Sequence, residues 1–329
     1  MAPTPLTLLV DDSCPHVHIL REHLIAVDRR PPVTADGRPL AESIPDDFLD
    51  RFCDVVERHG IAGKFSVVPA PAGRGDVVRG IDGHDPARTR AWLETARRRL
   101  AARFDFTPEM LTHSLAWDLA AERPLELGEA HWSQAQSRRT LTPYLTRSLK
   151  ILREAGIDAA GFTSPWNFGA RVEAEYLAAM AAAQREVWGR TATWYFLHIW
   201  HDYPASRPYL AFAQGDTAVV SIPSTVDDFF WATIDSPRTD RAFVEAVVDH
   251  MLTADGRGGA IRRVLDAGGW PVIMTHWQSL FSNGLETGLA ALDLLGERVA
   301  TALAGEVAWA SCGELAERTM REARLGGHQ

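Results

Sequence analysis

Two neighbouring carboxylates, Asp11 and Asp12, close the apolar run Leu6–Val10 near the start of the chain. Far downstream, the run Val272–Thr275 ends in His276, followed by Trp277 and Gln278. Between them lie His113, in Thr112-His-Ser-Leu-Ala-Trp-Asp118, then Ser164-Pro165-Trp166, and His198 with His201 and Asp202 beyond it. These residue types suit water-activating chemistry. A carboxylate takes a proton from water, an imidazole gives one to a leaving group, and a carboxylate with an imidazole holds a divalent metal. Adjacent side chains on a strand point to opposite sides, so Asp11 and Asp12 can take different tasks. The bland readings are a turn pair for Asp11–Asp12 and hydrogen-bonded structural histidines for His113 and His276.

Such residues converge only if the elements aim them at one place. Strand-like runs alternate with helical patterns along the whole chain. The strands are expected at Leu6–Val10, Phe65–Val68, Met110–His113, Phe162–Ser164, Thr193–His198, Ala218–Ile222, Val272–Thr275 and Val307–Ala310. Helical spacing marks Pro45–His59, Pro86–Phe104, Leu141–Ala155, Ala170–Val187, Arg241–Leu252, Ile261–Ala267, Thr287–Leu303 and Glu314–Glu322. Repeated β-then-α units imply a parallel sheet, and seven or eight units point to a closed (β/α) barrel. Parallel strands present all their C-terminal ends on one rim, where the residues above would meet. The longer irregular segments, 28–43, 70–85, 117–139 and 200–215, would sit on that rim. No glycine-rich phosphate loop follows the first strand, which argues against a dinucleotide fold.

The chain has 329 residues, 46% hydrophobic and 23% charged, enough for a sizeable core and too apolar for disorder. A net charge of −9 argues against a general nucleic-acid binder. No run is long and apolar enough for a transmembrane helix, and no secretory signal is visible. Three scattered cysteines, Cys14, Cys53 and Cys312, read as reduced thiols of a cytoplasmic protein. Asp12, Cys14, His16 and His18 recur at every second position, but Pro15 makes a polar loop the preferred reading. His16 or His18 would still be available to complete a metal shell. His59, His84, His131, His250 and His328 read as surface residues, and the Arg97–Arg99 run as a solvated helix face. Of the 11 tryptophans, Trp117, Trp132, Trp166, Trp200, Trp231 and Trp277 are expected to ring the barrel mouth, there either to stack on a sugar or cyclic substrate or simply to wall the cleft. Trp92, Trp188, Trp270 and Trp309 read as packing residues.

The order of these motifs resembles the polysaccharide deacetylase superfamily, the NodB-homology barrels and their amidohydrolase cousins. The matching stretches are Leu-Leu-Val-Asp11-Asp12, His113-Ser114-Leu-Ala-Trp117, Thr163-Ser-Pro165-Trp166 and Val-Ile-Met-Thr-His276. The closing run Val307-Ala-Trp-Ala-Ser-Cys-Gly-Glu-Leu-Ala316 also looks like the family's last unit. The resemblance implies one distorted (β/α)7–8 TIM-like barrel over residues 1–329. It implies Asp11 as general base, His276 as general acid, and Asp12 and His113 as ligands of a divalent metal, zinc first. Ser164, Pro165, Trp166, His198, Trp231, Trp277 and Trp117 would face substrate. Two positions depart from the family pattern. Trp117 stands where the second metal histidine belongs, leaving Asp118, His16, His18 or His198 as substitutes. Thr163 stands where the base-orienting arginine belongs. A tryptophan at that histidine position resembles the allantoinase-like branch, where a metal is not clearly needed. The expected function is hydrolysis of a carbon–nitrogen bond in a small or sugar-like substrate. The alternatives are a metal-independent cyclic-amide hydrolase, a non-catalytic carbohydrate-binding barrel, and a lyase or isomerase using the same pair.

Overall fold

A computed structural model describes residues 2–326. Its centre is the strand Thr4–Asp11, buried along nearly its whole length, as a continuous apolar run demands. Parallel neighbours flank it: Val272–His276 on one side and Gly63–Val67 on the other, with Phe104–Pro108 beyond. Val307–Trp309 pairs parallel with its first half. Gly63 is required where it stands: a Cβ there would meet the Leu8 carbonyl oxygen at 1.8 Å. A second sheet holds Gly161–Thr163, Ala192–Phe196 and Thr217–Ser221 in parallel, with Tyr209–Gln214 antiparallel at its edge.

The ladders make a five-stranded and a four-stranded sheet, with three two-stranded ones beside them. Single parallel bridges join the two larger sheets at Phe106–Ala159 and Glu109–Thr163, and Val226, in the segment after the second sheet, bridges Ile273 of the first. The α/β architecture with parallel strands agrees with the expectation.

Helices pack apolar faces on the sheets. Phe48–His59 buries Phe48, Leu49, Phe52, Cys53, Val55 and Val56 and stops at Gly60, which adopts a left-handed φ of 64°. Arg99, from the basic run at the end of Pro86–Leu100, pairs with Asp50, Asp54 and Glu57 of that helix rather than facing only water. Among the described residues no helix is long and apolar enough to cross a membrane. All three cysteines are buried free thiols.

Three local differences from the sequence reading bear on the site. The helix expected to reach Phe104 ends at Leu100, and the strand is Phe104–Pro108, not Met110–His113. Phe104 and Phe106 alternate with Asp105 and Thr107 at the strand period, while Asp105 accepts the Gly313 amide (2.5 Å). His113 thus lies in a turn after the strand. The segment 13–18 is buried rather than a polar loop, and a helix, Ile19–Ala26, follows it. Its N-cap is His18, whose Nδ1 accepts the Arg21 amide. Finally, Trp277 is fully buried among Phe48, Phe52, Phe65 and Trp92, so it belongs to the core and not to the rim. At the position after a strand end, its side chain turns away from the face that His276 occupies.

Candidate active site

Parallel pairing sets Asp11 and His276 opposite each other as register partners on adjacent strands. Each carries its own counter-charge. Asp11 accepts a short hydrogen bond from the Nζ of Lys64, which is completely buried on the next strand. The same Nζ donates to Thr163 Oγ1 at 2.7 Å. Lys64, from a neighbouring strand, thus sets a positive charge against Asp11 and reaches across to Thr163. Burial pushes the Asp11 carboxyl up to about 6 against the pull of Lys64. His276 directs Nδ1 at Asp228 Oδ2 (2.7 Å), which also accepts from Ser279 Oγ (2.6 Å). Burial works to lower the His276 pKa, but the Asp228 hydrogen bond and the charges of Asp12, Asp228 and Asp11 carry it up to about 9. An imidazole held by a carboxylate in this way is an oriented acid.

Asp12 follows with a left-handed φ of 64°, an uncommon conformation for a side chain of any size. The turn separates it from Asp11. Its Oδ1 lies 2.7 Å from His113 Nε2, its Oδ2 accepts a short bond from Gln278 Nε2, and its amide donates to Glu109 Oε2 (2.5 Å). Glu109 Oε1 is 3.3 Å from the same His113 nitrogen. Asp12, Glu109 and His113 are all buried, with one ligand atom from each within 4.8 Å of the others. Burial opposes the charge on Asp12, yet the charge and hydrogen bond of His113 hold its carboxyl well below the ordinary range. The two carboxylates in turn hold His113 well above the ordinary imidazole range, overcoming burial.

His113 also has positive φ (54°), and Glu129 fixes that turn. The buried Glu129 carboxylate accepts the amides of Leu111 (3.0 Å), Thr112 (3.0 Å) and His113 (2.9 Å) and the hydroxyl of Tyr144 (2.6 Å).

Above these groups lies a cavity of about 260 Å³. It gathers Asp11, Asp12, His113, Ser164, Pro165, Trp166, Trp231 and His276 from the residues the sequence marks, and adds Glu109 and Gln278. Trp231 meets the His276 ring edge-on at 5.1 Å. Other expected site residues lie elsewhere. Asp118 is no ligand here: its carboxylate accepts the Ala120 (2.9 Å) and Ala121 (3.0 Å) amides in an exposed turn. Trp117 lines a separate pocket with Gly73 and Leu111. His198 pairs with Glu173 (2.7 Å) and stacks on Trp200, which stacks on Tyr209. Trp132 packs on Tyr144 and Phe168. His16 pairs with Asp46 (2.6 Å) and stacks on His84. His59 pairs with Asp293, His250 stacks on Phe229, and His328 lies outside the described residues.

Lys64, Glu109, Glu129, Asp228 and Gln278 are not marked by the sequence motifs. A lysine and a glutamate inside otherwise apolar strand surroundings were the available signals for two of them.

No family model matches the chain, and no curated protein matches it. Among solved structures, it is similar to a protein proposed to be a polysaccharide deacetylase from Mycobacterium smegmatis, at 17% identity over 84% of this chain and 77% of that one, TM-score 0.47. It is also similar to a 4-alpha-glucanotransferase from Thermococcus litoralis, at 10% identity over 81% of this chain but 35% of that one, TM-score 0.44. A third is a CE4 family pseudoenzyme from Bacillus anthracis, at 12% identity over 82% of this chain and 61% of that one, TM-score 0.37. At these values the likenesses are loose.

Proposed function

We propose that the protein is a single catalytic domain that hydrolyses a carbon–nitrogen bond of a small amide, in the manner of a polysaccharide-deacetylase-type N-deacylase. The observation that carries this reading is the facing pair Asp11 and His276, each with a buried partner of opposite charge. Asp11 takes a proton from water as its oxygen adds to the amide carbon. His276 then delivers its Nε2 proton to the departing nitrogen as the carbon–nitrogen bond breaks, leaving an acid and an amine. Asp228 keeps the imidazole in the proton-donating orientation.

Asp12, Glu109 and His113 fit a divalent cation such as zinc. Two buried carboxylates face one imidazole, so even a protonated His113 leaves one negative charge over, whereas a dication beside a neutral imidazole leaves none. Bonds of about 2.0–2.2 Å put two tetrahedral ligands about 3.4 Å apart; His113 Nε2 and Glu109 Oε1 are 3.3 Å apart. When bound, such an ion would polarise the amide carbonyl and acidify water. A metal-independent hydrolase is the second reading. Its support is the 2.7 Å contact between His113 and Asp12, a hydrogen-bond distance.

The test follows acid release from small amides such as acetanilide in the wild type, Asp11→Asn and His276→Ala, with metal analysis of each protein. Each substitution is expected to lower kcat by about 10²–10⁴. Unchanged turnover would overturn the reading. About one divalent ion per chain, lost in His113→Ala, separates the two forms of it.

A further inference from the structure

The cavity over Asp11 and His276 has a polar floor and carbon walls. Leu20, Trp166, Phe196, Ile199, Trp231 and Met274 make those walls. The polar floor runs from Asp11 and Asp12 to Gln278, whose Nε2 donates to Asp12 and whose Oε1 has no partner. Among the described residues two other polar side chains line the cavity, Ser164 and His23, and the buried His23 Nδ1 has no hydrogen-bond partner. The Ser164 hydroxyl bonds the Tyr176 hydroxyl at 2.9 Å. The His23 ring lies 4.8 Å from the Trp166 ring and 3.6 Å from the Asp28 carboxylate. At the mouth, Trp166 is 55% and Ile199 53% exposed, a pair of large apolar side chains left in water beside a reactive centre. Exposed apolar patches of this kind mark surfaces that a ligand covers.

A sugar ring in this cavity would present several hydroxyls to carbon. Those facing the carbon walls would lose their water partners and find no replacement, which is the costliest way to bury a polar group. An alkyl or aromatic ring suffers no such loss and gains burial against both tryptophans.

We infer that the substrate class is a small amide carrying a compact apolar group, an aryl or cycloalkyl ring, rather than a polyhydroxylated sugar chain. This rests on the amide-hydrolase reading above. The apolar group lies between Trp166, Ile199 and Trp231, and the scissile carbonyl lies over Asp11 and His276. Hydrolysis proceeds as already written: water adds, the carbon–nitrogen bond breaks, and the amine leaves with the proton from His276.

The experiment compares three acetamides with the same scissile bond, acetanilide, N-cyclohexylacetamide and N-acetylglucosamine, with di-N-acetylchitobiose as a longer sugar. Binding is read by tryptophan fluorescence and turnover by acetate release, both on the full chain. The two apolar acetamides are expected to bind at least about tenfold tighter than either sugar. Ile199→Asn, at an exposed position that folding tolerates, is expected to narrow that preference by about tenfold. Trp231→Ala is the second variant, read in the same way. Turnover or tighter binding of the sugars would overturn the substrate class while leaving the hydrolase reading intact. Tight binding of the apolar acetamides, sensitive to Ile199→Asn but without turnover, would support the ligand class and remove the hydrolase reading. Equal binding of all four, unchanged in both variants, would overturn the inference.

Discussion

The two halves of the site solve the burial of charge differently. On one side, Asp11 with Lys64 and His276 with Asp228 are closed pairs, each balanced by a residue of the same chain. On the other, Asp12, Glu109 and His113 bring two acids and one base into a common space. The first arrangement is complete as folded. The second has room for a further positive charge. Buried ions are stable only when paired, so the difference marks which buried charges already have their counter-charge.

The comparison can be broken first at the closed pairs. Lys64→Met leaves Asp11 buried without its partner and should cost about 3–5 kcal/mol of stability, seen as a lower Tm. The double variant Lys64→Met with Asp11→Asn should regain most of that loss, because no unpaired charge remains. If the single variant melts like the wild type, the pair is not what balances Asp11.

Asp228→Asn tests the other pair with a milder structural effect. We expect kcat to fall about 10²-fold or more, with a change in pH profile. The sign follows from His276 acting as an acid. Its proton is present below about 9 and is lost as pH rises through that value, so activity falls on the alkaline side. Removing the Asp228 charge lowers the His276 pKa and moves that fall to lower pH. A profile with an unmoved alkaline limb would show that Asp228 does not govern the acid.

The open trio predicts a ligand effect rather than a loss. Zinc or manganese at 100 times its Kd should stabilise the wild type by about 2.7 kcal/mol, and Glu109→Gln should reduce the gain. Calorimetry with and without the ion reads it directly. Smaller again is Gln278→Ala, which removes a donor to Asp12 while keeping all three ligands. Metal affinity should drop about 10-fold with little change in Tm. An equal loss in Glu109→Gln and Gln278→Ala would erase the distinction between ligand and support.

The sequence exposes what lies at the ends of regular elements. Asp11 and His276 are legible because apolar strands stop at them, and adjacent parallel strands put such ends on one rim. The partners are less legible because nothing local announces them. Lys64 sits one residue before the strand expected to begin at Phe65, where a lysine reads as a solvent-facing boundary, and inside the observed strand Gly63–Val67. Glu109 was hidden by the displaced strand: with the element placed at Met110–His113 it falls before the strand, and with Phe104–Pro108 it falls at the working end. Asp228 follows an irregular segment beyond Ser221, tied by the Val226–Ile273 bridge to the strand bearing His276. Asp118 failed for the complementary reason. Nearness to Trp117 in sequence suggested a ligand, but its carboxylate closes a local turn, as aspartates commonly do. The two left-handed turns, at Asp12 and His113, aim their side chains by backbone torsions that residue type alone does not reveal.

Lys64 has a mechanical role beyond its charge. It grows from the sheet that carries Asp11, and its ammonium also holds Thr163 of the other sheet. Asp11 is thus fastened to the seam where isolated bridges and the Thr107–Thr163 hydroxyl pair join the two sheets. His276, the register partner of Asp11, stays on the same sheet and does not cross the seam. One buried side chain thus ties the first carboxylate of the site to both layers of the scaffold.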